Sequence, residues 1–72
     1  MSYYQVELSR NGDAAAEDDT RFVILRTVAK RKAQLAALDA ADENDDSVAL
    51  SVWRYDHNSG STLLMHLQGL KR

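Results

Sequence analysis

Two stretches of this chain, Tyr3 to Arg10 and Val48 to Tyr55, alternate apolar and polar side chains with the two-residue period of a half-buried strand. In the first, Tyr4, Val6 and Leu8 fall on one side and Tyr3, Gln5, Glu7 and Ser9 on the other. In the second, Val48, Leu50 and Val52 oppose Ala49, Ser51, Trp53 and Tyr55. A sheet patterned this way buries one face and leaves the other free, so the chain needs a covering layer for the apolar side only. A third stretch, Ser61 to Leu67, resumes after the turn cluster Asp56-His57-Asn58-Ser59-Gly60, with Leu63, Met65 and Leu67 set opposite Thr62, Leu64 and His66. The last two stretches therefore read as a hairpin.

The covering layer is the segment Ala29 to Asp42, rich in Ala, Leu, Lys, Arg and Gln and free of Gly and Pro, which reads as a helix. The acidic run Asp42-Glu43-Asn44-Asp45-Asp46 ends it. Between the first strand and this helix, Asn11-Gly12-Asp13 is turn chemistry, and the small polar stretch through Asp19 reads as a loop. Thr20 to Thr27, with its apolar core Phe22-Val23-Ile24-Leu25, suits either state. As a strand it puts Phe22 and Ile24 on one side and Val23 and Leu25 on the other. As a helix start, capped at Thr20, it extends the stripe Ala29, Ala33, Ala36 and Ala40 back to Phe22 and Leu25. The strand is preferred because a helix would point the four apolar residues in all directions. The fold class is α+β, a small antiparallel sheet with one helix on one face in the order ββαββ, with βαββ and a longer helix as the alternative.

At 72 residues there is room for one core and one domain. With 44% hydrophobic and 28% charged residues the chain lies outside the compositional range of disorder. No cysteine is present to form a disulfide or a thiolate metal site. The start, MSYYQVELSR, lacks the pattern of a signal peptide, and no stretch approaches the ~20 apolar residues that span a bilayer, so the expectation is a cytoplasmic protein without a membrane partner. The formal charge of −2 argues against a general nucleic-acid binder. Acidic residues gather at Asp13, Glu17, Asp18 and Asp19 and again from Asp39 to Asp46, with the basic triplet Lys30-Arg31-Lys32 between them.

Chemistry-bearing motifs are scarce. His57 falls in a turn and His66 on a strand, neither at metal-ligand spacing. Neither a phosphate loop, a dinucleotide fingerprint nor a nucleophile elbow occurs. The carboxylates from Asp42 to Asp46 form a solvated run. The expectation is a chain with no catalytic residue, no metal ligand and no cofactor, and not an enzyme.

Recognition has more support. The unburied strand face would carry Tyr3, Trp53 and Tyr55, with His66, and Arg54 adjacent in sequence. Such aromatics serve as hot spots of a protein interface or as platforms for bases. If the two faces are reversed, Trp53 instead belongs to the core. Lys30, Arg31 and Lys32, on consecutive helix positions, spread over about 200°, and Arg21, Arg26, Lys71 and Arg72 would extend them into a phosphate-binding patch. The acidic segments would by contrast imitate a phosphate backbone. The candidate partner-binding residues are Tyr3, Arg26, Lys30, Arg31, Lys32, Trp53, Arg54 and Tyr55. The expected partner is a protein, including one that itself binds nucleic acid; direct nucleic-acid binding is the alternative, and open strand edges would also admit a second copy of the chain.

In its size, its lack of cysteine and its strand, helix, then strand-hairpin plan, the chain resembles the small phage-encoded inhibitors of type I CRISPR systems. The resemblance is carried by the basic helix start Val28-Ala29-Lys30-Arg31-Lys32-Ala33-Gln34 and the aromatic strand Val52-Trp53-Arg54-Tyr55. It implies a non-catalytic protein in a bacterial or phage-infected cell that binds a surveillance complex and blocks target DNA.

Overall fold

The computed structural model describes residues 2–10, 21–58 and 60–71. The turn and acidic cluster expected between Asn11 and Thr20, together with Ser59 and Arg72, lie outside the described residues. The element order is β1 (Ser2–Arg10), β2 (Arg21–Thr27), α1 (Lys30–Glu43), β3 (Val48–Asp56) and β4 (Gly60–Gln68). All neighbouring strands are antiparallel, in the order β2-β1-β3-β4, so the ββαββ reading holds, and Arg21–Thr27 is a strand and not a helix start.

The alternation of β1 and β3 sorts their side chains as their periodicity predicts. Val6, Leu50 and Val52 are the largest fully buried side chains, and Tyr4, Leu8 and Val48 pack around them. Against this face α1 lays Ala33, Ala37 and Ala41, all fully buried, with Ala36 and Ala40 beside them. Alanine at every fourth position lets the helix backbone come close to the sheet, at the cost of a thin core: Leu35 and Leu38 remain exposed.

Two irregularities change the outer strands. A β-bulge in the β1–β2 ladder sets Val6 opposite Leu25 but Glu7 opposite Val23, leaving Ile24 as the extra residue. Phe22 and Leu25 therefore share the helix side while Val23 faces away, which corrects the simple alternation expected for this segment. In the β3–β4 ladder Val52 meets Met65 and Trp53 meets Leu63, so Leu64 is the extra residue. Met65 and Leu67 pack on the core, and Leu63 turns to the helix-free side, away from the face expected for it.

The loop joining β3 to β4 is short because Asp56 already pairs with Gly60. The Asp56 carboxylate accepts the Asn58 N–H at 3.3 Å, and Gly60 takes φ of +80°, a left-handed conformation that glycine adopts without steric cost. After β4 the chain turns back onto the end of α1. The Gly69 N–H donates to Val48 O at 2.8 Å, Leu70 N–H to Ala41 O at 2.8 Å and Lys71 N–H to Asn44 O at 2.9 Å, while the Asn44 side chain donates to Ala40 O at 2.8 Å. At the helix end the Ala41 carbonyl thus accepts from the returning tail and the Ala40 carbonyl from the Asn44 side chain. Nearby, the Ser47 hydroxyl and backbone N–H both donate to the Asp45 carboxylate, holding its pKa below the ordinary value.

Candidate recognition face

Strand pairing decides which side chains meet on the helix-free face. Tyr3 on β1 is directly opposite Tyr55 on β3, and their rings stack with centroids 5.2 Å apart and planes 11° from parallel. Gln5 lies between Arg26 on β2 and Trp53 on β3, and Trp53 in turn lies opposite Leu63 on β4. Glu7 lies between Val23 and Ser51, and Ser51 opposite His66. The face thus carries an aromatic group from each central strand, rimmed by the exposed aliphatics Val23 and Leu63.

Under the aromatic groups runs a polar row. Gln5, Glu7, Ser9 and Ser51 are all buried, although α1 packs on the other face of the sheet. Gln5 Nε2 donates to Glu7 Oε2 at 2.6 Å, Arg26 Nε donates to Gln5 Oε1 at 2.9 Å, and the Tyr55 hydroxyl donates to Glu7 Oε2 at 3.3 Å. Arg21 Nη1 stands 3.5 Å from Glu7 Oε1, which is buried and accepts no hydrogen bond. Trp53 Nε1 donates to Ser51 Oγ at 3.2 Å, so the indole leans along its own strand. Arg26 has a second role: its guanidinium carbon lies 5.6 Å from the centre of the Tyr3 ring, in cation–π range. The pKa of Tyr55 is raised, first by burial and then by the negative charge of Glu7.

Of the residues singled out from the sequence, Tyr3, Arg26, Trp53 and Tyr55 converge here. The others are placed elsewhere. Arg54 alternates to the opposite side, paired with Tyr4 and Thr62, where its Nε is buried without a hydrogen-bond partner. Lys30, Arg31 and Lys32 form the first turn of α1, all exposed, on the helix layer but at the Tyr3 end of the sheet, because β2 ends opposite Tyr4. The sequence places Gln5 and Glu7 on the side of Tyr3 and assigns Arg21 to a basic patch, but it does not signal that Gln5 and Glu7 are buried or that Arg21 approaches Glu7, since polar residues on the outward phase of a strand read as solvated. Among the described residues, no three or more of His, Asp and Glu gather as a metal site would need, and no helix is long and apolar enough to cross a membrane. Compared with protein-family models, curated proteins and solved structures, the chain matches none.

Proposed function

We propose that the helix-free face is a recognition surface and that the chain is a non-catalytic protein-binding module. One observation carries this reading: the register of β1, β2 and β3 brings Tyr3, Arg26, Trp53 and Tyr55 together on the face away from α1, beside exposed Val23 and Leu63. Trp, Tyr and Arg supply most of the binding energy of protein interfaces, and the polar row beneath holds the Tyr55 and Arg26 side chains in fixed positions before any partner arrives. In the form implied by the resemblance to type I inhibitors, the partner is a nucleoprotein defence complex in the cytoplasm and binding blocks its access to DNA.

The test compares wild-type chain with Trp53→Ala and Tyr55→Ala in affinity capture from nuclease-treated lysate, with folding of each variant checked by circular dichroism. Loss of one stoichiometric protein with both folded variants supports the reading; undiminished capture by both removes this face from consideration. With the partner purified, inhibition of its DNA binding by the chain would establish the inhibitor form.

A second reading, binding of single-stranded nucleic acid, is favoured by Arg26 over a stacked tyrosine pair at the sheet end where the Lys30–Lys32 turn begins. It requires anisotropy binding of a labelled oligonucleotide that weakens steeply with salt. No binding at low salt excludes it.

A further inference from the structure

The outward side of α1 carries four exposed residues in line. Successive helix residues advance about 100°, so Arg31, Leu35, Leu38 and Asp42 fall within about 60° of arc. That arc is turned away from the sheet against which Ala33, Ala37 and Ala41 are buried. Leu35 is 49% and Leu38 44% exposed, and both charged residues are exposed. Their spacing of four, three and four residues is that of a coiled-coil seam, with the two leucines at its centre and charges of opposite sign at its ends. Among the described residues, neither Arg31 nor Asp42 forms an ion pair.

We propose that this stripe is the contact through which a second copy of the chain packs, its α1 antiparallel to the first. The stripe complements itself when one helix is turned end for end. Leu35 then meets Leu38 of the second copy, Arg31 meets Asp42 of the second copy, and the two-fold axis repeats each contact. Lys32 and Asp39 share one flank of the stripe, so they too face each other across the seam. A parallel pair would instead oppose Arg31 to Arg31 and Asp42 to Asp42. The macrodipoles favour the same direction. α1 has no acidic residue in its first turn and no basic residue in its last, and an antiparallel neighbour brings the acidic end of one helix beside the basic start of the other. An unrelated apolar helix would cover the leucines but has no reason to match both charges. The dimer is independent of what the sheet binds, because α1 lies on one face of the sheet and both helix-free faces stay on the outside.

The experiment is sedimentation equilibrium of the whole chain from micromolar to millimolar concentration, with folding of each variant checked by circular dichroism. The wild-type chain should rise from the mass of one chain to that of two, and the double variant Leu35→Gln, Leu38→Gln should stay at one. Both leucines are exposed, so the fold does not need them. Arg31→Glu and Asp42→Arg should each weaken the dimer about tenfold, since each loses two symmetry-related ion pairs and adds two repulsions. The chain carrying both changes should recover it. Each change suits the macrodipole of α1, so loss of the dimer cannot be ascribed to unfolding. A chain that stays monomeric at millimolar concentration would overturn the proposal, as would a charge swap that fails to restore association. So would a dimer indifferent to the leucine pair, which would put the contact at a strand edge.

Discussion

Glu7 occupies a strand position whose phase predicts a solvated carboxylate, yet it is buried beneath a tyrosine hydroxyl and beside Arg21. Gln5 on its own strand donates to it, but the residues that complete its surroundings, Arg21 and Tyr55, come from β2 and β3 and leave no local signal. The phase of Tyr3, Trp53 and Tyr55 was legible from alternation alone; that Tyr3 touches Tyr55, and that Arg26 joins them, depends on register between segments far apart in sequence. Burial of the Tyr55 hydroxyl, with the charge of Glu7 beside it, has a consequence for pH. Since folding raises the Tyr55 pKa, the folded state favours the neutral phenol, and the associated stability is complete below about pH 10 and lost as pH rises through the higher folded value. The urea midpoint of wild-type chain should therefore fall across this alkaline window more steeply than that of Tyr55→Phe, and parallel curves would show that titration of Tyr55 carries no energetic weight.

Elements were more legible than residues, and the exceptions have a common cause. Three strands followed from alternation and the helix from its composition, β2 was open to either state, and the bulges at Ile24 and Leu64 were not legible, because each inserts an ordinary aliphatic residue into an aliphatic run with no glycine to mark it. These insertions decide where Phe22, Leu25 and Leu63 point. The segment after β4 was equally silent, although it closes the end of α1. Gly69 is required there: a Cβ would run into the backbone carbonyls of Asn44 and Asp45. Gly69→Ala should destabilise the fold by about 2 kcal/mol, measured by chemical denaturation, whereas an unchanged midpoint would mean that the tail docks by another route. At its other end α1 begins with Lys30, Arg31 and Lys32, and no acidic residue occupies the first turn or basic residue the last. This arrangement opposes the helix macrodipole at both ends. Lys30→Glu should accordingly raise stability by about 0.5 kcal/mol; if the basic turn also meets the partner, the same change lowers affinity, so the two measurements would move in opposite directions.

At the scale of the whole molecule, α1 orients the charge. Its basic start lies at the Tyr3 end of the sheet, and Asp42, Glu43, Asp45 and Asp46 gather around the opposite end, near Val48. Arg10 and Lys71 lie at that acidic end and offset part of its charge, so an anionic partner would be drawn chiefly to the basic start of the helix, and its association should slow with added salt. Between the poles, the β1–β3 ladder runs through nine consecutive pairs without a bulge, while both outer ladders are interrupted. That central ladder joins segments about 40 residues apart at its nearest pair, Arg10 with Val48. Little can therefore be gained until a long loop closes, which makes folding slow for so small a chain, on the scale of milliseconds or longer. Once closed, the same ladder is the last to open: amide hydrogens at Val6 and Val52 should exchange with solvent only through global unfolding, and those of β2 and β4 through local fraying.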